Sequence, residues 1–371
     1  MQLAPFLLDQ WLDEHAHTVE INLASSTGPS FTFRELLDVM TPEERERLFA
    51  AKLLYSRSGG ADDLRQAVAE RHGVSAEDVL ILTGASEGLL ILSFLAGEPG
   101  ANVVLPSPGY PPSASIPRGF GIEARTYALR PENGFRVDLD EVRSLVDAKT
   151  KYVLVNSPHN PTGATLSDDE LDALHAFTAG RGIPLVCDEV YHPIYHGTPS
   201  RSAARLPGAV VLGDMSKALC LSGLRIGWMI ERDAVKRAQV LNARQYFTIT
   251  NAPLEEALAT AAVRRAELLY EGVRRRTAEN LAQLEPFFAA QAGTLSWVRP
   301  RGGMTAFPRL LAGDDARPFC VELARAGVLV APGDCFGMPA HFRLGFGAAP
   351  PDRLLAGLER LAQVCAAVGA S

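Results

Sequence analysis

The chain is poor in lysine, in basic charge and in long apolar runs. No stretch reaches about 18 uninterrupted apolar residues, so no membrane-spanning helix is expected. The net charge of -7 argues against nucleic acid as the main partner, since binding its backbone demands a basic face. Five cysteines, Cys187, Cys220, Cys320, Cys335 and Cys365, are odd in number and contain no CxxC pair. That argues against a disulfide framework or a zinc site and for a reducing, cytoplasmic setting. The opening MQLAPFLLDQWLDEHAH has neither a basic start nor a small-residue cleavage site, so it does not read as a signal peptide. There is no internal repeat and no low-complexity linker. What is present is 371 residues with 47% hydrophobic and 21% charged side chains, enough for a large buried core and two domains.

From about residue 60, short apolar runs alternate with helical spacing. Val79 to Leu82, Asn102 to Leu105, Ala124 to Leu129, Lys151 to Val155, Pro184 to Cys187, Ala209 to Leu212 and Arg225 to Ile230 read as strands. Asp62 to Arg71, Glu87 to Ala96 and Leu166 to Ala179 read as helices. This alternation predicts an α/β fold, a mostly parallel sheet covered on both faces. A long helical region from Ala234 to Ala290 follows, then the short strands Leu295 to Val298, Met304 to Pro308, Val328 to Val330 and Phe342 to Phe346, and a closing helix, Pro351 to Val368. The expected division is residues 1–45 packing with a small α+β domain, 46–240 as the large domain, and 241–371 as an interdomain helix and the small domain.

Only five of the 36 basic side chains are lysines, and Lys217 alone lies among apolar and small residues, in GDMSKALCLSGLRIGW. A lysine in a low-dielectric pocket favours the neutral amine that attacks an aldehyde. Arg225, eight positions on, is suited to clamp a phosphate. Asp188, in LVCDEVY, ends an apolar strand, where ligand sites collect in open α/β sheets. An aldehyde, a phosphate and a ring nitrogen held protonated by a buried carboxylate together describe pyridoxal 5'-phosphate. Thr83-Gly84-Ala85-Ser86-Glu87 ends one strand and opens a helix, a place for backbone amides to meet an anion. Pro106-Ser107-Pro108-Gly109-Tyr110-Pro111 is a rigid turn that presents an aromatic ring. Asn156-Ser157-Pro158-His159-Asn160-Pro161-Thr162-Gly163 follows another buried strand.

In these ordered motifs, from about Tyr55 to Arg343, the chain resembles the class I/II aminotransferase family of fold-type I pyridoxal-phosphate enzymes. The resemblance implies a three-layer large domain with a mostly parallel sheet and a smaller α+β domain. It makes Ser216-Lys217 the Schiff-base pair. It assigns Asp188 to the pyridine nitrogen, Asn160 and Tyr191 to the ring hydroxyl oxygen, Tyr110 to stacking on the ring, and Ala85, Ser86 and Arg225 to the phosphate. Arg343 would hold a substrate α-carboxylate, Asn160 would also contact substrate, and Gly28 would lie on the segment that closes over substrate. Tyr55 would reach the phosphate of a second subunit, implying a homodimer with shared sites. His159, Glu189 and Cys187 read as structural. One departure stands out: where similar proteins commonly carry serine or threonine three residues before the lysine, this chain has Asp214. Beside a phosphate dianion it is expected to pair with Arg225 or to point away.

The implied activity moves an amino group between an L-amino acid and a 2-keto acid. Ser25-Ser26-Thr27-Gly28 and Arg301-Gly302-Gly303-Met304-Thr305-Ala306-Phe307-Pro308 look somewhat like the capreomycidine synthase branch, which implies as alternative an elimination, replacement or cyclisation on a modified amino acid. A ligand-sensing domain of a regulator is disfavoured, because the segment ahead of the match is acidic and short. The side-chain pocket is expected from the N-terminal segment, Ser113 to Arg118 and partner residues. Ser113, where similar proteins often have tyrosine, suggests room for a longer side chain.

Overall fold

The structure is a computed structural model and describes residues 3–369. Its centre is a seven-stranded sheet in the order Val79–Leu82, Gly227–Glu231, Ala209–Asp214, Leu185–Asp188, Thr150–Asn156, Asn102–Ser107, Glu123–Ala128. Gly227–Glu231 runs antiparallel to both its neighbours, and the other pairs are parallel. Successive strand residues face opposite sides. In Val79–Leu82, Leu185–Asp188 and Gly227–Glu231 every residue is buried, so helices or chain cover both faces. The edge strand Glu123–Ala128 is largely open and polar.

This topology brings four C-terminal strand ends to one rim: Ser107, Asn156, Asp188 and Asp214. The antiparallel strand begins at the same rim, because Gly227 pairs with both Leu82 and Asp214. Lys217 and Arg225 lie in the loop joining those two strands. Helix Ala85–Leu95 also starts there, after Gly84. Gly84 has φ +83°, a conformation other residues rarely adopt, and a Cβ on it would meet the Arg225 guanidinium at 2.8 Å.

The small sheets lie elsewhere in the chain. Thr305–Ala306, Phe342–Gly345 and Ala331–Pro332 form three short antiparallel strands. Ile21–Asn22 adds to Val328–Leu329 in parallel, and the Trp11 indole donates to the Val330 carbonyl at 2.9 Å. Helix Leu7–His15 is thereby held through buried Leu8 and Trp11. The Ala234 to Ala290 region is three helices, not one: Ala234–Phe247, Pro253–Arg264 and Ala266–Ala290. Pro253 has no N–H to give to a preceding turn and so opens the second.

Candidate active site

A cavity of about 370 Å³ opens at the rim where the strand ends gather. That volume is within the usual span for small-molecule sites, about 300–1,000 Å³. Ala85, Ser86, Tyr110, Asn160, Asp188, Tyr191, Lys217 and Arg343 all line it, so eight residues scattered over more than 250 positions meet in one place. Asn156, Asp214, Ser25, Ser26 and Thr27 line it as well.

The charges are arranged in depth. Asp188 is buried, and its carboxylate accepts the Val190 amide at 3.2 Å. Burial lifts its pKa to about 7; the Val190 hydrogen bond opposes the rise, Asp214 adds to it and Lys217 opposes it. Burial likewise lowers the pKa of Lys217, against the pull of Asp214. The Lys217 amine donates to the Ser26 hydroxyl at 3.0 Å. The Tyr191 hydroxyl donates to the Ser26 carbonyl at 3.0 Å rather than pointing at a partner beside Asn160. Arg343 is 2% exposed, a buried guanidinium with no carboxylate partner among the described residues. It donates to Asn160 Oδ1 at 3.1 Å and to the Ala24 carbonyl at 2.7 Å, and lies 4.9 Å from the Phe336 ring centre. Its Nε, buried, has no partner. Burial lowers the Arg343 pKa, but a guanidinium stays charged at ordinary pH.

Behind this set stands a supporting layer. Asn156 donates to the Asp188 carbonyl at 2.9 Å and accepts the Asn160 amide at 2.8 Å, shaping the loop that carries Asn160. His159 is buried, its pKa pushed down to about 3 by that burial, and bonds Thr162; it is part of the loop's scaffold. Glu189 accepts the Ala203 amide at 2.7 Å, away from the cavity.

Four expected residues lie off the cavity wall. Gly28 sits behind it, packed so closely that a Cβ would meet Cys220 Sγ at 2.5 Å; Ser25, Ser26 and Thr27 form the wall instead. Ser216 is buried beside Lys217. Arg225 lies over Gly84, with one guanidinium nitrogen on the Ser222 carbonyl. Tyr55 is 84% exposed and lines a separate surface groove. Two expectations are corrected. Ser113 is buried within helix Pro111–Gly119 and is not among the cavity residues, so it gives the pocket no extra room. Asp214 neither points away nor forms an ion pair with Arg225: it faces the cavity and accepts the amides of Ser216, at 2.7 Å, and Ala85, which are nearer donors.

Asp9 and Ser26 also line the cavity, although neither stands in a motif with an assigned chemical role. Phe6, Leu8, Asp9, Leu12 and Ala16 bring the N-terminal helix to the mouth of the cavity. The signal was the alternation of apolar and acidic residues in LLDQWLDEH.

The residues present fit pyridoxal phosphate. A buried carboxylate, a lysine of lowered pKa and a stackable tyrosine share one cavity, and the missing side chain at Gly84 leaves a cradle under Arg225 at a helix N-terminus. The comparisons agree. A family profile for aminotransferases of class I and II matches residues 18–361. Capreomycidine synthase of Streptomyces vinaceus is 34% identical over 355 residues, covering 93% of this chain and 90% of that protein. A PLP-dependent aminotransferase from Streptococcus suis superposes with a TM-score of 0.93 at 28% identity, covering 99% of both chains. The PLP-dependent cyclase OrfR superposes with a TM-score of 0.89 at 31% identity, covering 99% of this chain and 98% of its own. Fold and site define a pyridoxal-phosphate enzyme of fold type I. The chain belongs to the class I and II aminotransferase family.

Proposed function

We propose that this enzyme transfers an amino group between an L-amino acid and a 2-keto acid. The observation that carries the reading is that Lys217, Asp188 and Arg343 face one cavity, a base, a ring-nitrogen partner and a carboxylate clamp together. Bound pyridoxal phosphate would supply an electron-poor ring that takes up the electron pair left at the substrate's α-carbon. Asp188 would sit at the ring nitrogen, Asn160 and, once released from the Ser26 carbonyl, Tyr191 at the ring hydroxyl oxygen, and Tyr110 against the ring face. Ala85, Ser86, Ser216 and Arg225 would hold the phosphate, and Tyr55 would complete the neighbouring subunit's site. Arg343 binds the substrate carboxylate with two parallel hydrogen bonds and so fixes which α-substituent faces Lys217. Burial keeps a neutral fraction of Lys217, which removes the α-proton and delivers it again. In the cofactor-free protein Ser26 accepts the amine's N–H, a bond that Lys217 would give up on joining the cofactor.

The protein works as a homodimer in this reading. Leu53, Leu54 and Tyr55 form a run 79%, 67% and 84% exposed, an apolar surface that a second copy would cover. Five free, buried cysteines fit a reducing compartment such as the cytoplasm.

A second reading is favoured by the likeness to capreomycidine synthase and to a cyclase: loss of a side-chain leaving group followed by ring closure. Single-turnover absorbance separates the two. With one amino acid and no acceptor, transfer yields one keto acid per site and a lasting loss of the cofactor's visible band. Recovery of the band without keto acid would replace the first reading with the second.

A further inference from the structure

The cavity wall carries one charge that the proposed chemistry leaves unused. Of the charged residues lining it, Lys217 and Asp188 serve the reaction centre, Arg343 the substrate carboxylate, and Asp214 the backbone amides. Asp9 remains. Among the described residues it makes no hydrogen bond and no ion pair, though it faces a cavity with cations deeper inside.

Its position is built by the fold. Leu8 and Trp11 are buried, and the Trp11 indole is tied to Val330, which fixes the rotation of helix Leu7–His15. Asp9, Leu12 and Ala16 then share one face by helical spacing, and that face lines the cavity. Phe6 packs edge-on against Tyr110 with ring centres 6.1 Å apart, so the helix start is pinned to the ring that is placed against the cofactor. Asp13, one turn on, adds its negative charge to the Asp9 environment. The cavity wall also carries the apolar side chains of Phe6, Leu8, Leu12 and Leu89. No second arginine lines the cavity among the described residues, which leaves an acidic side chain without a partner.

We infer that Asp9 is the side-chain specificity residue, and that the substrate is an amino acid whose apolar stem ends in a cationic ammonium or guanidinium group. The stem lies along Phe6 and Leu12, and the cation meets the Asp9 carboxylate at the mouth. This deepens the functional reading above and rests on it, since Arg343 must hold the other end of the same molecule.

The test measures dissociation constants from the shift in the visible absorbance of the cofactor-loaded enzyme. The probes are L-arginine, L-lysine, uncharged L-norleucine and L-glutamate. Wild type should bind arginine or lysine about tenfold more tightly than norleucine, with glutamate weakest, as expected for one carboxylate–cation pair at a partly open site. In Asp9→Asn the ratio of cationic to neutral affinity should collapse toward one, and Asp9→Glu should retain it. Asp9 is exposed, so these variants have no buried contact to lose. A wild type without cationic preference, or an Asp9→Asn variant that keeps it, overturns the inference while the amino-acid reading stands. If no amino acid shifts the spectrum of wild type, the underlying reading falls and takes the inference with it.

Discussion

At the scale of single residues, Asp188 carries the clearest pH dependence. Its folded pKa of about 7 lies above the usual aspartate value near 4, chiefly because burial penalises its charged form. A raised carboxylate pKa stabilises the fold fully below the unfolded value, and that contribution is lost as pH rises through the folded one. The cofactor-free protein should therefore lose thermal stability between about pH 4 and pH 7. Glu189, also raised to about 7 by burial, acts in the same direction. Melting temperatures across that range should fall less steeply in Asp188→Asn than in wild type, with Glu189 supplying the remaining slope. An unchanged slope would mean that Asp188 is already ionised in the empty fold. The chemistry of these residues was legible because each follows a strand or a turn with a distinctive neighbourhood, as Asp188 does in LVCDEVY. Their partners were not. That Tyr191 and Lys217 both bond Ser26 depends on a contact across more than 160 positions that no local pattern encodes.

At the scale of elements, a buried ionic cluster joins three parts of the chain. Arg244, fully buried, approaches Glu87 at 3.6 Å and donates to Asn251 and to the Ser58 carbonyl. Glu87 in turn accepts the Thr83 amide at 2.5 Å and the Thr248 hydroxyl. The helix behind Gly84 is thus tied to the segment that presents Tyr55. Arg244→Ala leaves Glu87 buried without its cation and should destabilise the protein by about 3–5 kcal/mol, read from denaturant unfolding. A loss under about 1 kcal/mol would show that the cluster relaxes freely. The same scale shows which elements a sequence can reveal. Helix Asp168–Ala179 was legible, and its start is fixed by the Ser167–Glu170 capping box. Helix Pro111–Gly119 was not, because Pro111, Pro112 and Pro117 argue against it locally while packing sustains it. The breaks at Thr248 and Arg265 were missed because apolar spacing continues across them.

At the scale of the molecule, one face of the chain remains unfinished. The groove lined by Leu54, Tyr55 and Arg57 is open, and Tyr246 beyond it is 83% exposed. Sedimentation velocity should give twice the chain mass for wild type, and Leu54→Asp, which places a charge in the apolar run, should shift it toward monomer. A monomeric wild type would remove Tyr55 from the site. Six strands of the sheet were legible because both-face burial writes near-continuous apolar runs, while the open edge strand Glu123–Ala128 lacks that signal. The two-residue strands near the C-terminus were read too long, since their apolar character comes from packing beyond the ladder. Finally, Arg343, Tyr191 and Lys217 each spend a hydrogen bond on the three residues from Ala24 to Ser26. At Arg343 an incoming substrate carboxylate therefore performs a ligand exchange: it replaces the Asn160 and Ala24 acceptors with its own oxygens and leaves the bond count nearly constant. Net gain per exchanged bond is small, so affinity should arise mainly from water released off apolar walls, with a modest enthalpy and a negative heat-capacity change in titration calorimetry.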